Sequence, residues 1–250
     1  MTTKVKTCFR QQLCYEDCPK LADWLGMKPA EIKKFDVYVT PMMDGNIDDL
    51  QPKLGLNQIK EVIDQLIDGL EQLKVAEKTH NDIKPTNLLY LKTATGYDIK
   101  LSDFGQAGKM GGTPGWTAPV FFKERQPGRE DLFSAGWVIL RLLCHSQSSI
   151  PEQNKELFKC LRDNFIENRN QTWLVNFRKM IEIDFVSKLV NLDKPLTLTE
   201  VKNEWNKIRP SIAFINKQRL LNLGVPAAQL KIQYNFDRLV QTNFVIIQFI

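Results

Sequence analysis

From Leu56 to Lys78 the apolar residues Ile59, Ile63, Leu66, Ile67, Leu70 and Leu73 recur every three or four positions. That spacing lines one face of a helix, so the segment predicts a long amphipathic helix. Asn57 is its expected cap, with Lys60 where a capping box would prefer Glu. Ahead of it, Lys4–Phe9 alternates and Phe35–Thr40 (FDVYVT) is rich in β-formers, so both predict strands. The rest of residues 1–36 is irregular, and Pro41–Asn46 predicts a turn-forming connector. Beyond the helix, Leu88–Leu91 and Ile99–Leu101 predict two short strands separated by a Thr/Gly turn. Asp131–Cys144 is markedly apolar, as a buried central helix would be. Helical patterns run on to about Ile208, and the last forty residues read as a tail ending in the apolar run FVIIQFI. The order is α+β, helix-dominated after the first fifty residues.

Composition narrows the class without naming it. A chain of 250 residues can form one domain of upper ordinary size or two lobes that share an interface. Hydrophobic residues at 43% and charged residues at 25% are globular values, which argues against disorder. The net charge of +5 comes without a Lys/Arg block, so it predicts a solvated basic surface and no nucleic-acid partner. A basic groove for phosphate or for an acidic partner stays open. Five cysteines occur in a chain whose start, Met1-Thr2-Thr3-Lys4, lacks an apolar signal region, and no apolar run reaches the length of a membrane span. The expectation is an intracellular, cytoplasmic or nuclear setting with free thiols. Cys8, Cys14 and Cys18 cluster, but their spacing fits no zinc pattern and no His lies near.

Four segments carry chemistry, in this order: HNDIKPTNLLY (His80–Tyr90), LSDFG (Leu101–Gly105), GTPGWTAP (Gly112–Pro119) and DLFSAG (Asp131–Gly136). Together they resemble the catalytic loop, magnesium loop, substrate-binding segment and central-helix signature of the eukaryotic protein kinases. The resemblance covers roughly residues 36–210. It implies a protein-kinase-like α+β fold, mainly the helical C-terminal lobe. Phosphoryl transfer needs positioning and charge neutralisation more than covalent chemistry. By that resemblance Asp82 accepts or orients the proton of the attacking hydroxyl, and Lys84 sets a cation beside the migrating γ-phosphate. Asn87 and Asp103 supply the oxygen ligands that magnesium prefers. Thr113 resembles the threonine that hydrogen-bonds the catalytic Asp and Lys. Lys84 with Thr113 is the Ser/Thr arrangement, so ATP and Mg2+ with Ser or Thr hydroxyls of a protein are the implied substrates.

The departures from the family pattern matter as much. Asn81 stands where regulated kinases place an Arg that binds a phosphate on the activation loop. The loop itself, Phe104 to Gly112 (FGQAGKMGG), holds no Ser, Thr or Tyr. Receptor and phosphosite are absent together, so no switching by activation-loop phosphorylation is expected. Val120 replaces the Glu of the APE motif, and the stretch Asp193–Thr197 offers Lys in place of its Arg partner. With no buried carboxylate left to neutralise, the loss should be tolerated.

No GxGxxG precedes the catalytic loop, and about forty residues lie ahead of the apparent hinge. Residues 1–40 are therefore expected to form a reduced or atypical N-lobe, 41–210 the C-lobe and 211–250 a tail packing on the lobe or a partner. Lys6, on Lys4–Phe9, is either the ATP-binding lysine, with Glu16 or Glu31 as its partner, or a surface lysine. Around a hinge at Thr40–Gly45, Thr40 would be the gatekeeper, Met42 and Met43 would offer backbone groups to adenine, and Leu89 would floor the base. Two functions follow: a Ser/Thr protein kinase, active without loop phosphorylation and slow for want of glycine-loop cover, or a non-catalytic truncated pseudokinase that binds and regulates another kinase or protein. The run FVIIQFI must be covered, either by the chain itself or by an edge-strand contact with a partner or a second copy, which would make a homodimer.

Overall fold

A computed structural model describes residues 41–124, 126–144, 151–167, 177 and 179–225. The expectations for Lys4–Phe9, Phe35–Thr40, Lys6, Glu16, Glu31, Thr40 and FVIIQFI fall outside these residues.

The described chain runs β1 (Gly45–Asn46), α1 (Ile47–Leu50), α2 (Leu56–Val75), β2 (Leu88–Lys92), β3 (Tyr97–Leu101), α3 (Arg129–Leu143), α4 (Pro151–Glu167), α5 (Ile181–Leu189), α6 (Leu198–Ile208) and α7 (Lys217–Asn222). The three strands form one antiparallel sheet in the order β1-β2-β3, with Leu88 opposite Leu101 and Asn46 opposite Leu89. The connector Pro41–Asn46 thus ends in a two-residue strand rather than remaining a turn.

Helix α2 buries Ile59, Val62, Ile63, Leu66, Ile67, Leu70 and Leu73 along one face. Its ends differ from expectation. The N-cap is Gly55 instead of Asn57; the Gln58 carboxamide accepts from the Gly55 N–H at 2.9 Å, closing the first turn from position N3. The helix also stops at Val75, short of Lys78. Glu77 turns left-handed at φ 53°, its N–H donates to the Lys74 carbonyl, and the Lys78 N–H donates back to Leu73. This is a Schellman closure with Glu in the place that glycine usually takes.

Helix α3 starts at Arg129 and is buried from Glu130 to Leu143, and α2, α4 and α5 pack on it. Helix α5 crosses it at Gly136: a Cβ there would meet Val190 at 2.8 Å and Leu189 at 3.0 Å. Asp64 on α2 accepts from Trp205 Nε1 of α6 at 2.6 Å and pairs with Arg209, which joins the outer helix to the same core. Past α6 the chain stays on the lobe as far as Val225. Ile212, Ile215, Leu220 and Val225 are buried, and Arg219 on α7 holds both carboxylate oxygens of the fully buried Glu182 at 3.0 Å. The short α7 escaped detection because six residues are less than two helical turns of pattern.

Candidate active site

The site is built at one edge of the β2–β3 hairpin. Because Leu88 pairs with Leu101, the residues just outside the pair, Asn87 and Ser102, also meet: the Ser102 N–H and hydroxyl both donate to the Asn87 carbonyl, at 2.9 and 3.0 Å. Asp103 follows at once, in a left-handed conformation (φ 61°), its Oδ1 accepting from the Gly105 N–H at 3.3 Å. The two residues expected to be oxygen ligands therefore lie at neighbouring strand ends.

The loop from His80 to Asn87 has almost no regular structure, yet it is buried at His80, Asn81, Asp82, Ile83, Pro85 and Asn87. Its backbone groups need partners. Asp131, in the first turn of α3, supplies two: its carboxylate accepts from the His80 and Asn81 N–H groups, each at 2.8 Å. Burial pushes the Asp131 carboxyl up, while those two donors pull against it. His80 then bridges to the next segment, its Nε2 within 2.8 Å of the Ser102 carbonyl and its ring 4.7 Å from that of Phe104.

Four of the expected site residues form one network. Asp82 Oδ1 accepts from the Thr113 hydroxyl at 2.6 Å, and Oδ2 accepts from Lys84 Nζ at 2.7 Å and from Asn87 Nδ2 at 3.1 Å. Lys84 also donates to Thr113 at 2.8 Å. Burial alone would raise the Asp82 carboxyl, but the Lys84 ammonium, the Thr113 hydroxyl and the Asn87 amide outweigh it and hold it below the ordinary value of 3.8. A carboxylate kept ionised can accept a hydrogen bond from an incoming hydroxyl. With its amide nitrogen committed to Asp82, Asn87 offers its Oδ1 as an acceptor. One amide oxygen and the exposed Asp103 carboxylate are hard oxygen donors, which suits Mg2+ held together with phosphate oxygens and water. No group of three or more His, Cys, Asp or Glu side chains forms a metal cluster among the described residues.

The expected nucleotide residues are more scattered. Leu89 is half-buried on β2, next to β1. Met43 is half-buried and Met42 is 90% exposed, both just before Asp44, whose N–H is taken by the Tyr90 carbonyl at 2.9 Å.

Asn81 was singled out in the sequence only for what it is not. In the structure it is 2% exposed with φ 65°, a left-handed conformation that Asn tolerates better than most residues, and its Nδ2 donates to the Lys109 carbonyl at 2.5 Å. Gly112 packs against the same residue: a Cβ on it would overlap Thr117 Oγ1 and sit 2.5 Å from the Asn81 carbonyl oxygen. Further along, Arg162 of α4 donates to the Gly115 carbonyl at 3.1 Å, and Trp116 stacks on Phe158 at 5.2 Å. The segment 104–117 is thus tied to the loop at one end and to α4 at the other. Val120 is half-buried at the core edge and Lys194 is exposed. Asp131 and His80 were absent from the sequence-derived site. An acidic residue opening an otherwise apolar helix was the available signal for Asp131.

A catalytic loop anchored on a buried helix, with an Asp–Lys–Asn–Thr network beside a left-handed Asp, defines a protein-kinase-like large lobe. The sequence agrees: the model of the protein kinase domain matches residues 31–206, and the chain belongs to that family. Among its relatives, "Serine/threonine protein kinase OSK3" of Oryza sativa subsp. indica is 26% identical over 171 residues, covering 63% of this chain and 32% of that protein. "Calcium/calmodulin-dependent protein kinase type 1B" of Homo sapiens is 33% identical over 106 residues, covering 39% of this chain and 31% of that protein. "Calcium/calmodulin-dependent protein kinase cmkA" of Emericella nidulans is 25% identical over 214 residues, covering 79% of this chain and 50% of that protein. The chain spans about 31–50% of the length of these relatives.

Proposed function

We propose that this chain transfers the γ-phosphoryl group of Mg-ATP to Ser or Thr hydroxyls of a protein, slowly and without needing a phosphate on its activation segment. The observation that carries the reading is the closed Asp82–Lys84–Asn87–Thr113 network. In this reading Asp82 orients the acceptor hydroxyl and takes its proton late. Lys84, fixed by Asp82 and Thr113, holds positive charge where the phosphoryl group passes. Asn87 and Asp103 would hold Mg2+, which would supply neutralisation of phosphate charge. Thr113 keeps both Asp82 and Lys84 from wandering, and misplacement of a reacting group by about an ångström can cost two orders of magnitude in rate.

The Asn81–Lys109 bond supports independence from phosphorylation. It ties the segment to the loop through an uncharged side chain, where an Arg would wait for a phosphate. Finding an activity-linked phosphate on Thr113 or elsewhere in the segment by mass spectrometry would refute this part.

Thermal unfolding with and without Mg-ATP tests nucleotide binding. The chain should be stabilised by millimolar Mg-ATP, less by ATP with chelator, and not by Mg-ATP in Asp103→Ala. No stabilisation of the unaltered chain would sink the enzyme reading and leave a docking protein.

A further inference from the structure

Thr113, which meets both Asp82 and Lys84, is the first residue of a tight turn, Thr113–Trp116. Pro114 presets φ at the second position of that turn, and Gly115 holds φ 86° at the third, where a side chain would be strained. The Trp116 N–H closes the turn on the Thr113 carbonyl at 3.1 Å, and the Thr117 N–H reaches the same oxygen at 3.1 Å. This is the pattern of a type II turn. Its first residue belongs to the catalytic network, and its third and fourth residues meet α4.

Helix α4 is a firm base for that contact. Leu157, Phe158 and Leu161 are buried, and Lys155 pairs at 2.8 Å with Asp48, which also takes the buried Arg141 of α3 at 3.0 Å. From this base Arg162 reaches the turn. Its Nε and Nη2 both donate to Asp163 Oδ1, at 3.1 and 3.0 Å, which sets the plane of the guanidinium. Nη1 is left to donate to the Gly115 carbonyl at 3.1 Å. The Phe158 ring touches both sides of the grip: Trp116 stacks on it with an interplanar angle of 11°, and the Arg162 guanidinium stands 5.5 Å from its centroid. Gly115 leaves room for this and little more, since a Cβ there would come within 2.9 Å of Nη1. We propose that Arg162 is a positioning residue for phosphoryl transfer: its bond to the Gly115 carbonyl holds the turn that aims Thr113 at Asp82 and Lys84. This role presupposes the transfer reaction proposed above and adds to it the residue through which α4 acts on the network. The Arg162 side chain is 20% exposed, so losing the bond loosens the turn without unfolding the lobe.

The test is transfer kinetics on the full chain, read as kcat and KM, together with amide hydrogen exchange. Arg162→Met should lower kcat about tenfold, a fraction of what an ångström of misplacement can cost, and leave the KM for Mg-ATP within about twofold. Arg162→Lys, which keeps a cationic donor, should lose no more than about threefold. Because Arg162 acts through Thr113, the two effects should not add: in a Thr113→Ala background Arg162→Met should lower kcat by less than about twofold. Exchange at the Trp116 and Thr117 amides should quicken in Arg162→Met while amides of α3 keep their rates. If Arg162→Met does not fold, Arg162→Gln takes its place with the same expectations. If Thr113→Ala leaves no measurable rate, the lysine variant decides, and Lys as slow as Met overturns the proposal. It is also overturned by Arg162→Met transferring at the unaltered rate, by a KM rise at unchanged kcat, or by an equal loss in the Thr113→Ala background. Unchanged exchange at Trp116 and Thr117 would sink this role alone, whereas no transfer from the unaltered chain would sink the phosphoryl-transfer reading and this role with it.

Discussion

At the residue scale the account rests on Asp82. Its carboxyl sits below 3.8 in the folded chain because Lys84, Thr113 and Asn87 favour the ionised form more than burial disfavours it. A depressed folded value means that Asp82 adds stability above about pH 3.8, and that this contribution is lost as pH falls through the lower folded value. Carboxyl-carbon NMR should therefore show Asp82 titrating below the unfolded value, and Lys84→Met should move it upward. An Asp82 titration at or above 3.8 in the unaltered chain would contradict the network. Gly112 gives a second residue-scale prediction. With φ 141° and no room for a Cβ, Gly112→Ala should destabilise the chain by about 1–3 kcal/mol in denaturant unfolding. The kinase motifs were legible in the sequence because residue types at set spacing carry the resemblance, and the structure brings Asp82, Lys84, Asn87 and Thr113 into one network. Asn81 was legible only as a missing Arg, since a bond from its amide to a carbonyl 28 residues on leaves no local pattern.

At the element scale, periodicity located α2 and α3 but not their ends. Helix ends are set by one or two hydrogen bonds, which a repeating apolar pattern does not encode. Gly55 carries no capping side chain, so the Gln58 return bond is visible only in the structure. The stop at Val75 is set by Glu77 in a left-handed conformation that costs a non-glycine residue roughly 1 kcal/mol. Glu77→Gly should accordingly raise stability by about 0.5–1 kcal/mol, measured by urea unfolding, with activity unchanged. A loss of stability would mean that the Glu77 side chain holds the turn by some other contact. By contrast, α6 carries a legible start: Thr197 and Glu200 cap each other, at 3.3 Å from the Glu200 N–H and 2.7 Å from the Thr197 N–H.

At the scale of the whole molecule, α2, α4 and α5 pack on α3, with the catalytic loop fastened to its first turn and the segment around α7 fastened to Glu182. That carboxylate is fully buried, so Arg219→Met should leave it uncompensated and cost about 3–5 kcal/mol. Adding Glu182→Gln should recover part of the loss, and equal stability of the two variants would contradict the pairing argument. The central claim is phosphoryl transfer, and the most direct measurement is transfer of labelled γ-phosphate from Mg-ATP to a generic protein substrate. The account predicts a slow, magnesium-dependent rate on Ser and Thr that falls by two to four orders of magnitude in Asp82→Ala, to the background of the assay. Transfer at the same rate in Asp82→Ala, or none from the unaltered chain, would contradict it.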